Sequence, residues 1–342
     1  MTRAPWLPAL AGTLCLLLAS SLGTAAPSAP APAVPAPPAP RRELTVDTLS
    51  VVKLRSRTVS DARSAATLGT QREGTGVVID GKGLVLTIGY LILEAESIEL
   101  STVAGHSVPA SVVAYDAETG FGLVRALGPL PIAPVTFGES AGVAMRDRVL
   151  IVGFDGVAPA YVVSRRPYVA YWEYLLPDAI YTAPATVNWQ GAALLDRHQR
   201  LIGIGHLAVP DAIAAGQQVP GNLFVPIDRL KPILADLVAR GRSSTPPRPW
   251  LGVYTREVEG NVIVTRVADD GPADRGPVRP GDVVVAVDGQ TIKGQADFYQ
   301  RIWRSGDPER EMALDVLRAG RIERVTVKTS ERDRYYRARP TY

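Results

Sequence analysis

The sequence predicts a mainly β chain with two folded units, a larger all-β unit followed by a smaller one that mixes strands with a helix. Three observations carry this. Across residues 43–241, short apolar runs recur between Gly, Pro, Asp and Asn turn signals, a pattern of many short strands that fits a sandwich or a barrel. Residues 242–249 read RSSTPPRP, a linker by composition. Residues 250–330 then combine strand-like runs with one amphipathic segment.

Size and composition agree with two domains. The chain has 342 residues, of which 46% are hydrophobic and 21% charged, enough apolar material for real cores. A formal net charge of +3 does not suggest a nucleic-acid binder, which needs a concentrated basic stripe.

Taken in order, the chain opens with Arg3, an apolar run over 7–18, and small residues leading to Gly23-Thr24-Ala25. This is the layout of a secretory signal peptide over 1–25, with Ala26 as the first mature residue. A retained membrane anchor is the other reading, but the run is short for a span of about 20 residues. Cys15, the only cysteine, lies in this run, so a processed chain has no thiol and forms no disulfide. Residues 26–42 are Ala/Pro-rich and favour an extended polyproline II spacer.

Within 43–241 the strand candidates include 76–79, 84–87, 111–114, 149–152 and 201–204, and apolar residues at 227, 230, 234, 237 and 238 predict one helix over 227–239. In the second unit, strands are expected near 262–267, 282–287 and 313–317, with a helix near 296–304. Residues 331–342 are polar, rich in Arg and Tyr, and expected to form a loose tail.

The order of short motifs over 47–330 resembles the HtrA (Deg) family. Gly74-Thr75-Gly76-Val77-Val78-Ile79 is similar to that family's GSGVVI strand, and 80–87 to its following turn and strand. Phe137-Gly138-Glu139-Ser140, Arg146-Asp147-Arg148-Val149 and Val152-Gly153-Phe154 resemble further segments, and 194–196 with 200–204 resemble the strand pair after the nucleophile. The resemblance implies a trypsin-like double β-barrel followed by a smaller α+β PDZ domain. It also implies the site: a serine attacks, a histidine takes its proton, and an aspartate orients the histidine. The histidine belongs in a pattern like LTNNHV, where this chain reads Leu86-Thr87-Ile88-Gly89-Tyr90-Leu91. The aspartate belongs in TDLAVLK, where it reads Thr119-Gly120-Phe121-Gly122-Leu123. The serine belongs in GNSGGPL, where it reads Asn188-Trp189-Gln190-Gly191-Ala192.

Tyr90, Gly120 and Gln190 thus stand at the three triad positions, and no catalytic residue is expected. A phenol of pKa about 10 is a poor base at neutral pH; glycine orients nothing; an amide is not a nucleophile. Asn188 and Trp189 also alter the loop that supplies oxyanion donors. The three histidines, His106, His198 and His206, are expected to be solvated or structural and away from the site. No metal-binding motif and no phosphate-binding glycine loop is present, and no cofactor is expected.

In the second unit, Arg248-Pro249-Trp250-Leu251-Gly252-Val253 resembles the carboxylate-binding segment of a bacterial PDZ domain, and 278–289 its most recognisable stretch. The resemblance implies a peptide-binding site of Trp250, Leu251, Gly252 and Val253, where a chain end adds a strand beside Gly252 and Val253, with Phe298 and Ile302 of the helix on the opposite wall. The reading is a non-catalytic, exported peptide- or protein-binding scaffold, regulator or chaperone-like subunit, periplasmic in a Gram-negative source. Its expected partners are C-terminal or unfolded segments of exported proteins, with a homo-oligomer or a mixed oligomer with an active HtrA-type protease as the assemblies considered. The alternative is an active serine endopeptidase of protein quality control with an unrecognised site.

Overall fold

The computed structural model describes residues 46–337, so the expected signal peptide and Ala/Pro-rich segment lie outside the described residues. The larger unit is two closed six-stranded barrels. The first comprises β1 (Val51–Thr58), β2 (Gln71–Val78), β3 (Leu84–Ile88), β4 (Ala95–Ser101), β5 (Ser107–Tyr115) and β6 (Phe121–Ala126), closed in the order β1-β2-β3-β6-β5-β4; a short helix α1 (Ala65–Leu68) joins β1 to β2. The second comprises β7 (Arg148–Gly153), β8 (Gly156–Ala170), β9 (Tyr174–Ala183), β10 (Ala193–Leu195), β11 (Leu201–Val209) and β12 (Gly221–Pro226), in the order β10-β11-β12-β9-β8-β7. Closure pairs every strand on both sides and removes the exposed edges of an open sheet.

Burial follows the sequence. The apolar runs of β3 and β10 are buried throughout, whereas β1 alternates, with Leu54 and Ser56 inside and Arg55 and Arg57 outside. One apolar cluster runs from Val52, Leu86 and Phe121 of the first barrel to Tyr181, Ile204 and Val225 of the second, so the barrels share a core. The site lies in the cleft that this shared core positions.

After β12 the chain forms a 3-10 turn, Ile227–Arg229, and then helix α2 (Leu234–Arg240). The spacing predicted one helix over 227–239. Pro232 divides it, because proline lacks an N–H and disfavours helical geometry in the residue before it.

The smaller unit contains β13 (Pro249–Trp250), β14 (Val253–Val258), β15 (Asn261–Val267), β16 (Val283–Val287), β17 (Gln290–Thr291), α3 (Gln295–Trp303), β18 (Glu311–Arg318), β19 (Arg321–Lys328) and β20 (Ser330–Glu331). Its sheet runs β14-β15-β16-β18-β19, with β17 beside β16, and β13 pairs separately with β20. Phe298 and Ile302 of α3 pack with Val264, Val284 and Leu314 in a second core.

The expected loose tail is packed as far as it is described. A 3-10 turn, Arg332–Arg334, follows β20; Tyr335 packs on Trp250 at 4.7 Å between ring centres and lies under the Arg63 guanidinium; the Arg337 amide donates to Glu94 (2.8 Å). Aromatic and guanidinium groups give this polar segment surfaces to bind to, which its composition alone did not reveal.

Candidate functional site

The three positions read as triad replacements lie on three loops of the barrel cleft. Tyr90 is in a 3-10 turn, Gly89–Leu91, directly after β3; Gly120 is in the turn into β6; Gln190 is in the loop before β10. Backbone bonds hold the loops together: the Gly89 amide donates to the Gly120 carbonyl (2.7 Å) and the Thr75 amide to the Gln190 carbonyl (2.9 Å). Gly191 stands at φ +71°, and a Cβ there would lie 2.2 Å from the Thr75 carbonyl oxygen, so only glycine fits. All three positions line one cavity of about 440 Å³, together with Trp189, Trp172, Tyr174 and His206.

The groups present have chemistry of their own. The Tyr90 hydroxyl donates to the His206 carbonyl (3.1 Å), and burial pushes its pKa well above the ordinary phenol value. Gly120 has φ +85°, and a Cβ there would meet the Tyr174 hydroxyl oxygen at 3.4 Å. That hydroxyl donates to the Thr119 carbonyl (2.7 Å), so Tyr174 of β9 fills the space beside Gly120. The Asn188 amide donates to Thr186 Oγ1 (3.4 Å), within its own loop. Arg72 is buried behind the Tyr90 turn and donates to the carbonyls of Tyr90 and Leu93, each at 2.7 Å; desolvation pulls its pKa down to about 10. It holds the turn in place by filling acceptors that a helix end leaves open.

His206 corrects the sequence reading, which put all three histidines away from the site. It lies inside β11, buried, with the rings of Tyr174, Tyr90, Tyr168 and Trp172 centred 5.3–6.2 Å from its own. Neither ring nitrogen has a hydrogen-bond partner among the described residues, and burial lowers its pKa to about 3. The imidazole is therefore neutral at physiological pH. His106 and His198 are exposed, the first against the Pro129 carbonyl and the second in a turn beside Arg197.

At the PDZ segment, Trp250, Leu251, Gly252 and Val253 are all buried. The amides of Leu251 and Val253 donate to the two carboxylate oxygens of Glu173, at 3.1 and 2.8 Å. Glu173 stands at the tip of the β8–β9 hairpin of the second barrel. Burial pushes its carboxyl up to about 7, against the pull of the amides of Leu251, Val253 and Gly252 and of the Arg332 charge. From α3 it is Tyr299 and Gln295 that reach the hairpin, while Phe298 and Ile302 lie in the core of the smaller unit. Sequence reasoning missed Glu173, Tyr174, Tyr299 and His206. The one signal available was composition: Tyr168, Tyr171, Trp172 and Tyr174 surround a single acid. Among the described residues, no group of three His, Cys, Asp or Glu side chains could hold a metal ion.

Comparison with known proteins agrees with this geometry. Residues 74–204 match the trypsin-like peptidase domain and residues 249–329 the PDZ domain. HhoA of Synechocystis sp. is 28% identical over 293 residues, 76% of this chain and 71% of that protein. A DegP-like periplasmic serine endoprotease of Brucella suis is 25% identical over 281 residues, 75% of this chain. The chain spans 52% of that protein, about half its length. Among solved structures, the HtrA-type protease AlgW with a tripeptide superposes with a TM-score of 0.50 at 22% identity, covering 86% of this chain and 95% of that one. The serine endoprotease from Yersinia pestis gives 0.50 at 18% identity, covering 84% and 98%. In its trypsin-like double barrel, its following PDZ domain and these relatives, the chain is similar to the HtrA-type proteases.

Proposed function

We propose that this chain is a non-catalytic HtrA-type protein, exported from the cytoplasm, which works by binding peptide segments of other exported proteins. The observation that carries the reading is the cleft itself. Tyr90 spends its hydroxyl proton on a carbonyl, Gly120 has no side chain, Gln190 is an amide, and His206 is neutral with no hydroxyl or thiol bonded to its ring. An acyl-transfer site needs a nucleophile within hydrogen-bond reach of a base, and these side chains do not supply that pair. The PDZ fold and the peptide-bound AlgW structure support peptide docking, and the periplasmic relative supports export.

The test is a serine-directed fluorophosphonate probe on the purified protein, with casein as an unfolded substrate. No covalent label and no cleavage are expected. A label mapped to any serine or threonine of residues 43–241 would overturn the reading. Export is checked separately: the native protein should begin near Ala26, and an N-terminus at Met1 would argue against processing.

A further inference from the structure

A PDZ groove has two recognition elements, a turn whose amides take a chain-end carboxylate and an open strand edge that accepts a peptide as an added strand. In this chain both are already engaged, and by the chain itself. The two amides flanking Gly252 each hold one oxygen of the Glu173 carboxylate. Among the described residues β14 pairs only with β15, and on its other edge the Thr255 amide donates to the Tyr171 carbonyl (2.8 Å). The helix side is engaged too. The Tyr299 hydroxyl donates to the Ala170 carbonyl (2.9 Å) and accepts from the Glu173 amide (3.2 Å), and Gln295 Nε2 also reaches the Ala170 carbonyl (3.3 Å). Residues 170–173 therefore lie between β14 and α3, bonded to both.

Glu173 adopts φ +55°, a left-handed conformation that disfavours a side chain, yet the position carries one of the larger acidic groups. The contacts that hold it there are those of its carboxylate and amide.

We infer that the β8–β9 hairpin is the resident ligand of the PDZ groove: the Glu173 carboxylate stands in for a chain-terminal carboxylate, and an incoming chain end docks by displacing it. The incoming partner rests on the peptide-docking reading above; the resident ligand does not.

The experiment uses the full processed chain at pH 8 and two variants. Glu173→Gly removes the carboxylate and relieves the backbone, while Glu173→Gln keeps the shape. Hydrogen exchange is followed over residues 249–256. Protection there is expected in the parent and is expected to fall about tenfold or more in Glu173→Gly, with exchange in the barrel strands unchanged. Should Glu173→Gly raise exchange everywhere, Glu173→Gln carries the same comparison. Fluorescence polarisation then uses labelled free-acid decapeptides ending in Val, Leu, Ile or Phe. An occluded groove lowers apparent affinity by the fraction of open molecules, so Glu173→Gly should bind about tenfold tighter or more. Equal exchange at 249–256 in all three proteins, or parent affinity equal to that of Glu173→Gly, overturns the inference. If exchange changes and no peptide binds any of the proteins, the resident ligand stands and the peptide-docking reading fails.

Discussion

At Gly120 the backbone itself opposes a side chain. Its φ of +85° strains any side chain, and a Cβ there would already touch the Tyr174 hydroxyl oxygen at 3.4 Å. Gly120→Asp should therefore lower stability by about 1–3 kcal/mol in urea denaturation. The triple variant Tyr90→His, Gly120→Asp, Gln190→Ser should leave casein uncut, because the new aspartate starts from a strained backbone beside the Tyr174 hydroxyl. Cleavage by that variant at any rate above the parent would refute the argument. The three positions were legible because short motifs fix their order along the chain. Tyr174 and His206 were not, because what matters about them is contact with a barrel whose strands end about fifty residues or more earlier. His206 was harder still: Gly203 and Gly205 interrupt the apolar run, so the strand read as ending at 204 when it continues to Val209.

At the scale of elements, strands with strong apolar runs were legible and elements shaped by tertiary contact were not. β8 is 15 residues long, and its pairing with β9 shifts register between Val162 and Ser164 and again between Arg166 and Tyr168. Such bulges break the alternation that sequence reading depends on. The C-terminal segment was illegible for another reason, since its order comes from a two-residue pairing of β13 with β20 and from the tilted packing of Tyr335 on Trp250. A chain ending after Thr329 should lose about 2–3 kcal/mol, the worth of one large buried aromatic contact. Its tryptophan emission should shift to the red as Trp250 meets water, and the shift should vanish in a Trp250→Phe background. A truncated chain with the stability and emission of the parent would show that the segment adds nothing to the fold.

Across the whole molecule, two buried groups contribute opposite responses to pH, one in the barrel cleft and one at the joint between barrel and PDZ domain. Glu173 has its pKa raised from 4.5 to about 7, so the folded protein holds a proton that the unfolded chain has released. Its contribution is complete below pH 4.5 and is lost as pH rises to 7. His206 has its pKa lowered from 6.5 to about 3, so the unfolded chain binds a proton that the folded protein refuses. Its contribution is intact above pH 6.5 and is lost as pH falls to 3. Between 4.5 and 6.5 the two slopes have opposite signs, and the parent should show little pH dependence from them. Glu173→Gln removes one slope: stability should then fall on acidification from pH 6.5, by up to about 1.4 kcal/mol per pH unit. His206→Phe removes the other: stability should instead fall as pH rises from 4.5 to 7. Urea denaturation at half-unit steps measures both, and difference curves against the parent cancel the exposed carboxylates that titrate in all three proteins. Difference curves that stay flat from pH 4.5 to 6.5 for both variants would mean that neither group is as shielded from water as its burial implies.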